Sequence, residues 1–300
     1  MKIIVTGGSG FLGTALCKQL RLAGHEVKNL DLRTSATEQT EIIDIREQAQ
    51  LSGMFVGADA VFHLAALIEA GESVKTPQSF IDTNLTGTLN VLEAMRQSGV
   101  KKILFSSSAA IYGEPLTTPI TEDQRTLPIS PYGMTKLAME ALISSYVYNY
   151  GFTGVALRYF NLYGPGENHQ PETHAIPRFI DQLRHDHEIT IWGDGLHQRD
   201  YLYIDDVVRA HLLALSLEGG YHYMNLASSK PSTVLDLVQH LAEILQKTPR
   251  IKHFPDRPGD PRILFASAEK AQKLLGWSAE IGIQEGLKRT VDWFLETQAK

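Results

Sequence analysis

The sequence predicts an α/β fold, a doubly wound parallel sheet with a smaller C-terminal lobe. Three observations carry this reading. Short β-rich runs alternate with helical periodicity through the first half of the chain. A glycine-rich turn joins the first strand to the first helix. Beyond Tyr159 the alternation becomes irregular, and Gly164, Pro165, Gly166 and Pro171 mark a long loop. The expected division is therefore 1–163 for the sheet domain and 164–300 for a lobe that returns elements to the main sheet. At 300 residues the chain is long enough for both.

The expected strands, in order, are Lys2–Val5, Glu26–Asp31, Thr40–Asp44, Ala60–Leu64, Lys102–Ser107 and Thr153–Tyr159. Between them, apolar residues at three- and four-residue spacing predict helices over Gly10–Ala23, Pro77–Ser98 and Pro131–Tyr150. The lobe should hold shorter helices near Ile176–Arg184, Asp205–Leu217 and Ser232–Leu245. Ser232, following Pro231, is the expected N-cap of the last one.

Composition narrows the function classes. A net charge of −6 with scattered Lys and Arg shows no footprint for nucleic acid or an anionic membrane. The single cysteine, Cys17, cannot form an internal disulfide and lies in the apolar pattern of the first helix, so it reads as a buried hydrophobe. The opening apolar run, Ile3-Ile4-Val5, is too short for a signal peptide or a membrane span, which makes the cytoplasm the expected compartment. No metal-ligand pattern is expected.

The opening strand runs into Thr6-Gly7-Gly8-Ser9-Gly10-Phe11-Leu12-Gly13. Glycines at 7, 10 and 13 permit a tight turn, close approach to a pyrophosphate and close helix–sheet packing. The helix N-terminus then offers unpaired amides to the phosphates. Asp31 closes the next strand about 20 residues on, where a carboxylate hydrogen-bonds an adenosine ribose and repels a 2′-phosphate. The pattern is Rossmann-type and favours NAD over NADP. Arg33 nearby keeps NADP open.

Ser130-Pro131 starts a helix that places Tyr132 and Lys136 four residues apart on one face. A free phenol with a pKa of about 10 is a poor base at neutral pH, but a neighbouring ammonium and a positive nicotinamide lower it. The spacing alone describes many solvated pairs. What raises it is Phe105-Ser106-Ser107-Ser108, a strand whose C-terminal hydroxyls should line the ligand crevice. Ser108 is the candidate hydroxyl partner of Tyr132.

These residues resemble the extended short-chain dehydrogenase/reductase family, and within it the UDP-glucose (UDP-galactose) 4-epimerases. The likeness runs over nearly the whole chain: TGGSGFLG, Asp44-Ile45, HLAA at 63–66, GESV at 71–74, Asn84-x-x-Gly87-Thr88, FSSSAAIYG at 105–113, SPYGMTK, LRYFNLYGPG at 157–166, RDYLYIDDV at 199–207 and RPGD at 257–260. The resemblance implies Ser108, Tyr132 and Lys136 as the catalytic set. It implies a cofactor lining of Gly7, Gly10, Phe11, Leu12, Gly13, Asp31, Leu32, Asp44, Ile45, Leu64, Ala65, Ala66, Asn84, Ser106, Tyr159 and Phe160, with Tyr132 and Lys136 at its reactive end. Asp44 and Ile45 would bracket the adenine. Asn161, Arg199 and Arg257 would hold the substrate's diphosphate region, Asp260 a ribose, and Leu264 would face the hexose.

The implied activity is NAD-dependent epimerisation at C4 of a nucleotide sugar. Sugar 4,6-dehydratases of the superfamily carry an Asp-Glu pair where this chain has Ala109-Ala110, and related decarboxylases usually carry a glutamate there. Two departures bear on the sugar and nucleotide: Ile68 stands where many epimerases have lysine, and the stretch before Arg199 is shorter. Leucine at 264, where a bulky tyrosine restricts N-acetylated sugars, implies acceptance of UDP-N-acetylhexosamines. A homodimer through Pro77–Ser98 and Pro131–Tyr150 is also implied. Competing readings are a net oxidoreductase of the superfamily, an epimerase for UDP-N-acetylhexosamine or uronate, and a non-catalytic NAD-sensing protein.

Overall fold

The computed structural model describes residues 1–35, 39–167, 174–256 and 261–298. The chain sorts into two compact units. The first holds Met1–Glu114, Glu122–Tyr159 and Val208–Asn225, and the second holds Pro115–Thr121, Phe160–Val207 and Leu226–Lys300.

The first unit is built on a seven-stranded sheet. Its strands are β1 (Lys2–Thr6), β2 (Glu26–Asp31), β3 (Thr40–Ile42), β4 (Ala60–His63), β5 (Lys102–Ser108), β6 (Thr153–Tyr159) and β7 (Tyr221–Leu226), in the order β7-β6-β5-β4-β1-β2-β3. The first six pair in parallel. Strands β4 and β6 are buried along their whole length, as expected for parallel strands covered on both faces. Helices α1 (Phe11–Leu22), α2 (Gly87–Ser98) and α3 (Pro131–Tyr150) make the main crossovers. Leu51, Phe55, Val91, Met95, Met139 and Ile143 pack against the sheet residues Ile4, Val61, Ile103 and Phe105.

The strand order places a topological switch at β1. The chain moves outward from β1 to β3, then returns to the other side of β1 with β4 and continues to β6. In such sheets the crevice beyond the C-terminal strand ends at the switch is the ligand site. Thr6, Asp31, His63, Ser108 and Tyr159 all end strands on that edge.

The second unit has small sheets. Asn161–Tyr163 pairs in parallel with Tyr201–Tyr203, Gln198–Arg199 lies between Ser232–Thr233 and Ile263–Leu264, and Ile189–Trp192 pairs with Ile251–Phe254. Trp277 is fully buried and donates to the Asp206 carbonyl at 2.9 Å.

Two local expectations are corrected. The helix expected over Pro77–Ser98 is interrupted: Pro77–Phe80 is α-helical, Ile81–Thr86 is a π-turn, and α2 begins only at Gly87. The wider turn carries the fully buried Asn84. The expected cap Ser232 lies instead in the strand ladder opposite Arg199. Thr233 caps helix Val234–Leu245, accepting from Asp236 N at 3.0 Å while Asp236 accepts from Thr233 N at 3.1 Å.

Candidate active site

The glycine turn leaves β1 beside the backbone leaving β4. Leu64 N donates to Thr6 O at 2.9 Å, and a Cβ on Gly7 would stand 2.6 Å from Ala65 N. Gly7 also has φ of +77°, so two constraints exclude a side chain. At Gly13 a Cβ would lie 2.2 Å from Gly7 O, which is how α1 comes to rest directly on the turn. Gly10 caps α1 without a side chain. The first-turn amides of Phe11, Leu12 and Gly13 therefore have no carbonyl of their own helix to meet. This is a cradle for a pyrophosphate, because the dipole end and the donors face one place.

Asp31 is oriented by two amides, Ser9 N at 3.0 Å to Oδ2 and Arg33 N at 3.0 Å to Oδ1. The buried Asn29 supports the turn from below, donating to the hydroxyls of Ser9 at 3.1 Å and Thr40 at 3.0 Å. Leu32 is exposed just beyond. Asp44 pairs with Arg46, whose guanidinium holds its carboxyl below the usual carboxylate range. Ile45 is buried against Gly87, and Asn90 Nδ2 donates to the carbonyls of Ile45 and Arg46, both at 2.9 Å.

Leu64, Ala65 and Ala66 follow β4 as a half-buried loop. Asn84 holds its end: Oδ1 accepts from Leu67 N at 2.8 Å, and Nδ2 donates to Leu67 O at 3.1 Å and to Thr135 Oγ1 at 2.9 Å. Both amide hydrogens of Asn84 are thus used inside the protein, although the resemblance points it at the cofactor. His63 is fully buried between Thr6 Oγ1 at 2.7 Å and Thr88 Oγ1 at 2.9 Å. Thr88 gives its own proton to Asn84 O at 2.5 Å, so it can only accept from His63. The imidazole therefore carries its proton on Nε2 and accepts from Thr6 at Nδ1. Burial, with Lys136 adding to it, pushes its pKa down to about 3 and keeps it neutral.

Helix α3 begins as the sequence requires. Ser130 Oγ accepts from Gly133 N at 3.1 Å, and Pro131 fills the first helical position. Tyr132 N donates to Ser73 Oγ at 3.1 Å, and Phe80 packs edge-on to its ring at 6.4 Å. Ser108, at the end of β5, caps the short turn Ala109–Tyr112, accepting from Ala110 N at 3.1 Å, and its hydroxyl lowers the Tyr132 phenol. Lys136 Nζ donates to Ser106 O at 2.8 Å and lies 5.9 Å from the centre of the Tyr132 ring. Ser108, Tyr132 and Lys136 are thus brought together at the sheet edge. Tyr159 ends β6 beside them, its hydroxyl 2.6 Å from His211 Nε2.

The electrostatics correct one expectation. Desolvation pushes the Tyr132 phenol up to about 12; the Ser108 hydrogen bond lowers it and the charge of Glu69 raises it. Lys136 is not among the groups that shift it. Burial instead pushes Lys136 itself down to about 7. A lysine desolvated to that degree is only partly charged at neutral pH, so it offers Tyr132 little positive potential.

In the second unit, three predicted substrate residues converge on Asp200. Asn161 donates to Asp200 O from N and from Nδ2, both at 3.0 Å, and Asp200 N donates to Leu264 O at 3.1 Å. Arg199 precedes Asp200 and stands in register with Leu264. The Asp200 carboxylate is buried and accepts from Ser228 N, Ser228 Oγ and Ser229 N at 2.6 to 3.0 Å. Phe160 is buried at the start of this unit. Arg257 and Asp260 lie outside the described residues.

Several supporting residues escape the sequence reading: Ser73 under the Tyr132 amide, Asn90 under the Asp44 loop, and His63 between β1 and α2. Their signal is weak but present. Asn90 is a polar residue on the apolar face of α2, flanked by Gly87, Val91 and Ala94, and a buried amide there must bond something.

Among the described residues, no group of three or more His, Cys, Asp or Glu is placed to hold a metal ion, and no helix is long and apolar enough to cross a membrane. Residues 3–227 match the family model described as "NAD dependent epimerase/dehydratase family". The chain is 38% identical to a UDP-glucose 4-epimerase of Corynebacterium glutamicum, over 93% of this chain and 91% of that one. Among solved structures, UDP-glucose 4-epimerase of Thermotoga maritima with UDP-glucose superposes with a TM-score of 0.94 at 35% identity, covering 99% of this chain and all of that one. The UDP-glucose 4-epimerase of Thermus thermophilus in complex with NAD gives 0.91 at 34% identity, covering 98% and 99%. The glycine cradle, the strand-edge hydroxyls and these likenesses agree: the chain belongs to the NAD-dependent epimerase/dehydratase family.

Proposed function

We propose that this protein is an NAD-dependent 4-epimerase of UDP-hexoses, with Ser108, Tyr132 and Lys136 as its catalytic residues. The observation that carries the reading is their convergence at the strand edge beside a turn shaped for a dinucleotide. The residues present fit NAD: Gly7 and Gly13 leave room that a Cβ would fill, and Asp31 is held by two amides in the ribose-binding position. When bound, NAD supplies an acceptor and donor of hydride for C4 of the sugar.

Tyr132 Oη takes the proton of the 4-hydroxyl and returns it after the sugar has presented its other face. Since the protein alone raises the phenol, its base form depends on positive charge arriving with the cofactor. Ser108 donates to that phenolate and orients it. Lys136, fixed on Ser106 O and 5.9 Å from the centre of the Tyr132 ring, holds the nicotinamide ribose. Asn161, Arg199 and Leu264 are the substrate-side set of the second unit, joined by Arg257 and Asp260, which lie outside the described residues. Leucine at 264 is smaller than the tyrosine that restricts N-acetylated sugars, so UDP-N-acetylhexosamines belong to the proposed substrate range.

The same reading makes the protein cytoplasmic and homodimeric. Leu85 with Leu89 of α2, and Ala138, Ala141 and Leu142 of α3, line an open apolar groove of about 500 Å³, and Leu89 is 41% exposed. An apolar face of this kind suits a second copy of the chain.

The test is to incubate the protein with UDP-glucose, UDP-galactose, their N-acetyl counterparts and UDP-glucuronate, and to identify products by NMR stereochemistry. Interconversion of C4 epimers without accumulation of reduced cofactor is expected. Accumulating NADH and a released ketone would make the protein a net oxidoreductase instead. Tyr132→Phe should lower turnover about 10²- to 10⁴-fold; near-normal turnover removes Tyr132 from the chemistry.

A further inference from the structure

The first unit buries a second polar cluster behind the proton-transfer set. Glu140 and Arg158 have side chains 6% exposed and meet in a bidentate pair, Nε to Oε1 at 2.9 Å and Nη2 to Oε2 at 2.7 Å. Glu140 Oε1 also accepts the Ser107 hydroxyl at 2.5 Å. Arg158 Nη1 donates to the Tyr112 hydroxyl at 2.8 Å, which donates to Asn225 Oδ1 at 2.7 Å. The guanidinium also lies 4.6 Å from the centre of the Tyr223 ring.

Stability does not account for such a pair. Desolvating two charges offsets most of their attraction, and well-packed apolar replacements of similar volume are often neutral or stabilising. What the arms hold is more informative. Ser107 precedes Ser108. Tyr112 ends the turn Ala109–Tyr112 that Ser108 caps. Glu140 stands one helical turn beyond Lys136 on α3, and Arg158 precedes Tyr159. The turn carrying Ser108 is therefore gripped at both ends, and one grip is on the helix that carries Tyr132 and Lys136. A misplacement of about 1 Å in such a set can lower a rate about 10²-fold.

We infer that Glu140 and Arg158 are positioning residues for proton transfer, fixing the span between Ser108 and the Tyr132–Lys136 face of α3. The inference rests on the epimerase reading above. Neither residue touches the reacting atoms; each acts through Ser108 and its turn.

The experiment compares the NAD-loaded wild type with the double variant Glu140→Leu/Arg158→Met, which removes both charges and keeps the volume. The double variant should unfold in urea near the wild-type midpoint and keep KM within about threefold, because no substrate contact is lost. Its kcat should fall about 10- to 100-fold. Its Tyr132 titration, read as ultraviolet difference against the matching Tyr132→Phe protein, should move upward as the Ser108 hydrogen bond loosens. Wild-type kcat, or an unmoved phenol titration, in a folded double variant overturns the positioning role. Should the double variant fail to fold, Ser107→Ala removes only the arm to β5, and unchanged kcat and phenol titration there overturn it equally. The phenol titration needs no turnover. A wild type that converts no UDP-hexose would sink the epimerase reading, while the titration still decides the positioning role.

Discussion

Lys136 makes a measurable demand on the fold. Its ordinary value is 10.5 and burial takes it to about 7. Each pKa unit corresponds to about 1.4 kcal/mol, so a fully charged Lys136 costs the folded state about 5 kcal/mol relative to the unfolded chain. The sign follows from proton counts. Between pH 7 and 10.5 the unfolded chain holds a proton at this site that the folded protein has released, so stability rises with pH in that window. Below pH 7 the whole penalty is present. Integrating between pH 7 and 9.5 gives a gain of about 3 kcal/mol. With a urea slope of about 3 kcal/mol/M, the midpoint should rise by about 1 M. Cys17, pushed up to about 12 by burial, works in the opposite direction above pH 9. The measurement is therefore a difference: urea unfolding of NAD-free wild type and of Lys136→Met at both pH values, in which Cys17 cancels. Lys136→Met should be the more stable protein at pH 7, and its advantage should shrink by about 3 kcal/mol at pH 9.5. Parallel pH dependences, within about 0.5 kcal/mol, would refute the claim that Lys136 is desolvated in the cofactor-free protein.

The remaining predictions concern the cradle, the sugar, the dimer and one helix cap. Gly13→Ala puts a Cβ 2.2 Å from Gly7 O, so the turn must shift; NAD affinity by fluorescence titration should fall at least about tenfold, and an unchanged affinity would remove the cradle from cofactor binding. Leu264→Tyr should lower turnover of UDP-N-acetylhexosamine relative to UDP-glucose, and an unchanged ratio would discard Leu264 as the gate. Replacing Leu89 and Leu142 together by Asp should convert a dimer to monomer in sedimentation velocity, with a dimer of unaltered mass showing that the contact lies elsewhere. Thr233→Ala breaks a capping box and should destabilise the protein by about 1 kcal/mol in urea unfolding; a loss under about 0.3 kcal/mol would contradict it.

How far the fold is legible follows from where its signals reside. Helix α3 runs over Pro131–Tyr150 as expected, because Ser130, Pro131 and Gly151 are start and stop residues with a local physical cause. Strands β1 and β6 announce themselves by apolar content and by the turns that bound them. The π-turn at Ile81–Thr86 carries no such mark. Its residues, Ile-Asp-Thr-Asn-Leu-Thr, are mostly weaker helix formers that specify no wider turn, and the widening seats Asn84 under Leu67 and Thr135, partners remote in sequence. Strand β7 escapes the pattern for a related reason: Tyr221–Leu226 lies far from its sheet neighbour along the chain and gains its place only by long-range pairing.

The same distinction governs the chemistry. Tyr132 and Lys136 are legible as a pair, because their spacing and the helix start are local facts. Their ionisation is not, because it depends on how much protein surrounds them. Spacing suggests an ammonium lowering a phenol; burial yields a lysine near 7 beside a phenol near 12, each favouring its neutral form. On the proposed reading, a protonated phenol and a half-charged lysine beside the dinucleotide turn make the base available only once the cationic nicotinamide is seated. Without the dinucleotide the phenol keeps its proton at neutral pH, so on that reading a substrate arriving first meets a site without a base. The desolvation that obscures the chemistry in the sequence thus couples base strength to cofactor occupancy, at a cost in stability that the pH dependence of Lys136→Met measures directly.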